Sequence, residues 1–288
     1  MKSTKKYPTV ALIYDFDGTL SPKNMQEYDF LQAIGIKDSS KFWEESEALS
    51  KKQDANHVLS YMSLMLKKAK YSEVSITREA FQRFGKSISL YKGVKEWFEL
   101  TRKMGEEIGV KVLHYVNSSG LKEMIEGTDI YKEFEAVYAC SFMYDANGVA
   151  YWPAVAVDFT AKTQVLFMIN KGIRHIYENR KVNRFMPEAD RPIPFRHMIY
   201  FGDGETDIPC MRLVKEQGGN AIAIFAKGNE SKRQAAEELV RDARVNFACV
   251  ADYTKGKEIY KTVETILRRV KVEWDFQNMR QSNLDRFK

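Results

Sequence analysis

The sequence predicts an α/β fold: a doubly wound, mainly parallel sheet with helices on both faces, carrying a smaller all-helical unit. Three observations lead there. Short, continuously apolar runs rich in β-formers recur along the chain, segments with helical spacing separate them, and one long stretch after the first run holds helical patterns only.

The first run, TVALIY from Thr9 to Tyr14, reads as a strand buried on both faces and ends in DFDGTL. VKVLHYVN (Val110 to Asn117), MIYFGD (Met198 to Asp203) and NAIAIF (Asn220 to Phe225) share its character. Between them, residues 22–90 contain the amphipathic patterns NMQEYDFLQAIG, KFWEESEALSKK and NHVLSYMSLMLKKA without a strand. Two units are therefore expected: a discontinuous α/β core of residues 1–21 and 91–288, and a helical cap of residues 22–90. The cap is anchored at the carboxyl end of the first strand, where open α/β sheets place their ligands. A hairpin is expected at Ala146-Asn147-Gly148, within MYDANGVAYWPAV. Residues 178–196, with three prolines and many charges, read as an exposed connection. The tail from Lys255 to Lys288 reads as helix, with an apolar face in KEIYKTVETILRRV.

At 288 residues, 44% hydrophobic and 29% charged, the chain has the composition of a globular protein with a sizeable core. Its net charge of +6 is spread over 45 basic and 39 acidic residues, with no run dense enough for a nucleic-acid arm, so no nucleic-acid partner is expected. No apolar stretch approaches the ~18 residues of a membrane span. The opening MKSTKKYPTVALIYDFDG runs into two aspartates rather than a cleavage site, and Cys140, Cys210 and Cys249 show no CxxC pairing. A cytoplasmic protein without a membrane partner is expected. His57, His114, His175 and His197 are scattered and are assigned no catalytic part; His114, inside an apolar strand, is expected to be a satisfied core residue.

Asp15 and Asp17 sit two apart at the carboxyl end of a buried strand, so the pleat points both carboxylates to one side and Phe16 to the other. Asp and Gly also favour plain DxDG turns. Two carboxylates in one pocket are unfavourable unless a cation neutralises them or one keeps a proton. GDGETD places Asp203 and Asp207 in the same setting after MIYF; if the two strands are parallel neighbours, four carboxylates converge in an oxygen-rich site for a hard cation such as magnesium. Gly202 and Gly204 let the backbone come close. VLHYVN is followed by Ser118-Ser119-Gly120 and a short helix, LKEMIEG, with Gly127 as C-cap; a hydroxyl and free amides at a helix start suit an anion, or serve merely as an N-cap. Lys162 falls in the first turn of AKTQVLFMINKG, where a cation is unfavourable unless an anion lies nearby.

In the order DFDGTL, VNSSG, Lys162 and GDGETD, these elements resemble the four signature motifs of the haloacid dehalogenase superfamily, with its Rossmann-like core. The resemblance implies Asp15 as nucleophile, Asp17 as general acid/base, Ser118 as phosphate-binding residue with Ser119 as the neighbouring candidate, and Lys162 as the charge offsetting Asp15 and phosphate. It implies a Mg2+ site of Asp15, the main chain of Asp17 and Asp203, supported by Asp207. The helical insertion between the first and second motifs looks like the C1 cap of the phosphoserine phosphatase branch.

The implied activity is magnesium-dependent hydrolysis of a small phosphorylated metabolite through an aspartyl-phosphate. A phosphotransferase would use the same residues, and a non-catalytic binding protein with this fold would lack some of them. Phosphoserine phosphatases carry an acidic residue shortly after the first motif that helps recognise the substrate amine; here that place holds Asn24. Glu27, one turn further, is expected to be an ordinary surface residue.

Overall fold

The computed structural model describes residues 7–287; the basic opening Met1 to Lys6 and Lys288 lie outside them. The strands are β1 (Thr9–Tyr14), β2 (Lys111–Leu121), β3 (Ala136–Tyr144), β4 (Ala150–Val155), β5 (Met198–Gly202), β6 (Asn220–Phe225) and β7 (Phe247–Val250). The helices are α1 (Asp29–Ala33), α2 (Ser39–Gln53), α3 (His57–Tyr71), α4 (Arg78–Gly85), α5 (Val94–Ile108), α6 (Lys122–Glu126), α7 (Phe159–Lys171), α8 (Ile208–Glu216), α9 (Glu230–Arg241) and α10 (Glu258–Asp285).

The seven strands form one sheet in the order β4-β3-β2-β1-β5-β6-β7, parallel except where β4 runs against β3. From the central β1 the chain builds outward through β2 and β3, then returns and builds the other way through β5, β6 and β7. The carboxyl ends of β1, β2 and β5 thus meet where strand order reverses, the place such sheets use for ligands.

Alternation along β1 feeds two cores. Val10, Leu12 and Tyr14 pack with Trp97 and Phe98 of α5 and Val263 and Leu267 of α10. Ala11 and Ile13 pack on the other face with Leu166 and Ile169 of α7 and Met211 of α8. Helices therefore cover both faces. Each large apolar side chain sealed this way contributes roughly 2–3 kcal/mol. The polar atoms within are paired: Trp97 Nε1 donates to the Tyr14 hydroxyl (2.8 Å), which lies 3.1 Å from His114 Nδ1, while His114 Nε2 is 3.3 Å from Thr101 Oγ1. His114 is the satisfied core residue expected of it.

Residues 22–90 carry α1 to α4 and, apart from an isolated bridge between Thr77 and Val149, no strand pairing. Side-chain caps start three of these helices, Asp38 for α2, Asn56 for α3 and Thr77 for α4. α4, which buries Ala80 and Phe81, lies outside the three patterns named from the sequence. Residues 178–196 form the expected connection, built of 3₁₀ turns, but its end is not exposed: Ile193 and Phe195 are buried in the core. The hairpin at 146–148 is present, held by Asp145 Oδ1 accepting from Asn147 N and Val149 N and by Gly148 at φ +73°. No helix among the described residues is long and apolar enough to cross a membrane.

One local expectation is overturned. Ser118 and Ser119 do not open a helix. β2 continues to Leu121, with its pairing to β3 interrupted between Asn117 and Leu121, and α6 begins only at Lys122 without a side-chain cap. Gly127 is the C-cap of α6 as expected, in right-handed backbone at φ −78°. Residues 118–120 stay within β2 as an irregularity in its register with β3, and they line the cavity described below.

Candidate active site

β1 ends in a tight turn in which the amides of Thr19, Leu20 and Ser21 all reach the Phe16 carbonyl. Gly18 permits the turn at φ +75°, and a Cβ there would lie 2.2 Å from Asp203 Cγ. Asp15 is thereby left at the floor of a cavity of about 800 Å³ that Asp17, Ser118, Ser119, Gly120 and Asp203 also line. Its Oδ1 accepts from the Phe16 amide (2.7 Å), and its Oδ2 lies 3.2 Å from Lys162 Nζ.

Behind that floor Lys162 and Asp207 are sealed from solvent, with Nζ 2.8 Å from Asp207 Oδ1. The Tyr200 hydroxyl donates to the same oxygen (2.7 Å), and Asp207 Oδ2 is buried without a partner. Asn117 donates through Nδ2 to the Lys162 carbonyl (3.0 Å), tying the end of β2 to α7.

The electrostatics follow from burial. Desolvation first and the Asp207 charge second push the Asp15 carboxyl up to about 8, against the pull of Lys162. Desolvation and the neighbouring Asp15 raise Asp17 well above the usual carboxylate range, while its Oδ1 accepts from the Met25 amide (3.0 Å). Burial alone would lower the Lys162 ammonium, but Asp15 and Asp207 together hold it above its ordinary value, so it stays charged.

Asp15, Asp203 and Asp207 each place a carboxylate oxygen within 4.8 Å of the others. An all-oxygen donor set with one orphaned buried carboxylate oxygen suits a hard divalent cation. The Asp17 carboxylate stands outside this group. Asp203 Oδ2 meets Lys232 Nζ of α9 at 2.9 Å. Ser118 is fully buried and its Oγ accepts from Gly120 N (3.0 Å), whereas Ser119 Oγ has no partner.

The family model for haloacid dehalogenase-like hydrolases matches residues 12–212, most of the chain and all the residues above except Lys232. The chain belongs to this hydrolase family. A protein of Borreliella burgdorferi, described only as uncharacterized, is 30% identical over 282 residues, covering 88% of this chain and 95% of its own. Among solved structures, a substrate-bound phosphoserine phosphatase complex aligns with TM-score 0.54 at 16% identity over 91% of this chain and 99% of that one. A phospho-aspartyl intermediate analogue of phosphoserine phosphatase aligns with TM-score 0.52 at 14% identity, over 90% and 99%. A haloacid dehalogenase family hydrolase of Salmonella enterica aligns with TM-score 0.53 at 13% identity, over 92% and 73%. These likenesses establish the fold shared with this hydrolase.

Every site residue expected from the sequence of this haloacid dehalogenase-like hydrolase lies at this one sheet edge. Lys162 and Asp207 form its back wall rather than its lining. Glu27 corrects an expectation: it is half-buried and lines the cavity, its Oε1 accepting from Asn24 Nδ2 (2.6 Å) and Trp43 Nε1 (2.8 Å). Setting the partly buried Trp43 beside a carboxylate satisfies the indole N–H, a pairing that no spacing in the sequence announces. Tyr200 and Asn117 were also missed. Their only signal is a polar group on a strand buried on both faces, which must find a partner.

Proposed function

We propose that this hydrolase is a magnesium-dependent phosphomonoesterase acting on a small phosphorylated metabolite. The observation that carries this reading is the Asp15–Lys162–Asp207 arrangement: a carboxylate facing a cavity, backed by a fully buried ammonium that a second buried carboxylate holds in place. Asp15, Asp203, Asp207 and the main-chain carbonyl of Asp17 would hold the metal. When bound, magnesium offsets the crowded negative charge and polarises phosphoryl oxygens.

The chain's own groups divide the remaining work. Lys162 favours the anionic form of Asp15, which a bound cation would favour further, and the Asp15 carboxylate attacks phosphorus, forming an O–P bond as the bond to the leaving oxygen breaks. Asp17, whose burial beside Asp15 favours its protonated form, gives its proton to that leaving oxygen. The resulting carboxylate then takes a proton from water as the water oxygen bonds to phosphorus, releasing phosphate and restoring Asp15. Ser118 and the amides of the 118–120 bulge bind the phosphoryl oxygens from the opposite side, with the Ser119 hydroxyl as a further donor. The helical segment 22–90 acts as the cap, and Glu27 contributes to the wall that meets the rest of the substrate.

The test is turnover of an aryl phosphate with and without magnesium by wild type and by Asp15→Asn. Magnesium-dependent release of phosphate by wild type only is expected; equal activity of the two proteins sinks the reading.

A further inference from the structure

Two helix caps from distant parts of the chain meet at the cavity. Asn56 starts α3: its Oδ1 accepts from Val58 N (2.9 Å) and Leu59 N (3.3 Å). Asp158 starts α7 in the same way, with Oδ1 accepting from Thr160 N (2.9 Å) and Ala161 N (2.8 Å). The free ends of the two side chains then bond to each other, Asn56 Nδ2 donating to Asp158 Oδ2 at 2.7 Å. Both residues line the cavity.

Capping alone does not require that bond, because one side-chain oxygen already satisfies the open amides of each helix. The elements it joins are informative. α7 carries Lys162, whose amide donates to the Asp158 carbonyl (2.8 Å), so the capping residue and the ammonium lie one turn apart on one rigid element. α3 belongs to the helical segment over the cavity, and its Tyr61 hydroxyl donates to the Ser119 carbonyl (2.6 Å), beside Ser118. One helix of that segment thus grips both the element bearing Lys162 and the bulge bearing Ser118.

We propose that Asn56 and Asp158 form a latch that seats the helical segment on the core and sets α3 against α7, making Asn56 a positioning residue for Lys162. The kinetic consequence of the latch rests on the phosphatase reading, whereas its effect on backbone exchange does not.

Exchanging the two side chains tests it. Asn56→Asp sets two carboxylates against each other, and Asp158→Asn sets two amide N–H groups against each other. Each variant keeps its capping oxygen. The double variant restores one donor facing one acceptor with the net charge of wild type. In the full-length protein, hydrogen–deuterium exchange is expected to rise in peptides covering residues 54–66 and 158–166 in each single variant and to return to wild-type rates in the double. With an aryl phosphate and magnesium, kcat is expected to fall about tenfold in each single variant, with a smaller change in KM, and to recover in the double. Single variants that exchange like wild type, or a double variant as impaired as the two singles combined, would overturn the latch. If wild type itself releases no phosphate, the phosphatase reading fails while the exchange rates still decide the latch.

Discussion

The ammonium of Lys162 and the carboxylate of Asp207 meet at 2.8 Å with neither side chain reaching solvent, directly behind the Asp15 carboxylate. A buried pair of this kind is held together by the desolvation that separating it would incur. It fixes the ammonium where a substrate phosphate would gather charge, and it does so from behind the cavity wall. Lys162→Met should therefore lower stability by about 3–5 kcal/mol in chemical denaturation, since two carboxylates remain buried without a counter-charge. Turnover should fall by at least ~100-fold. Adding Asp207→Leu should recover most of the stability and none of the activity; recovery of both would mean that the pair is structural only.

Gly18 and Asp203 make a second prediction. A methyl group at Gly18 would collide with the Asp203 carboxylate at 2.2 Å, on a backbone at φ +75°. Gly18→Ala should displace Asp203 and shift the magnesium dependence of turnover to higher concentration. The stability loss should stay near ~1–2 kcal/mol, the penalty of left-handed backbone. An unchanged magnesium titration would remove Asp203 from the metal site.

The role of Asp17 can be read from leaving groups. An acid matters most where the departing alkoxide is a poor leaving group, so Asp17→Asn should slow alkyl phosphates by ~100-fold or more and aryl phosphates much less. Equal slowing of both classes would argue against proton transfer by Asp17.

His114 gives a pH prediction. Burial, chiefly, lowers its pKa from 6.5 to about 3. Below about 6.5 the unfolded chain binds a proton that the folded chain refuses, so stability is present above that pH and is lost as pH falls toward 3. The slope reaches about 1.4 kcal/mol per pH unit for this group. Urea midpoints measured from pH 7 to pH 5 should fall more steeply for wild type than for His114→Gln; parallel slopes would show that His114 is not the titrating group.

The parallel core was legible because its strands are buried on both faces and therefore read as unbroken apolar runs: β1 and β6 match TVALIY and NAIAIF residue for residue. β7, four residues with an exposed Phe247, has no such run and was not visible. Asp15, Asp17, Asp203 and Asp207 were legible for a related reason. Acidic residues that terminate apolar strands must be explained chemically; local spacing places each pair at its own strand end, and the parallel pairing of β1 with β5 brings the two pairs to one sheet edge.

The sequence by itself determined which acidic, hydroxyl and basic groups stand at strand ends and in what order, since both depend only on neighbours along the chain. Tertiary structure alone decided how those groups are supported. It turned Ser118 from a presumed helix start into part of a strand bulge, set Lys162 and Asp207 behind the wall, and brought Glu27 against Trp43. It joined Asn56 to Asp158 across 102 positions of sequence. The reason is physical: a polar group's partner is set by what desolvation forces together in three dimensions, and that proximity leaves no period or spacing in the chain.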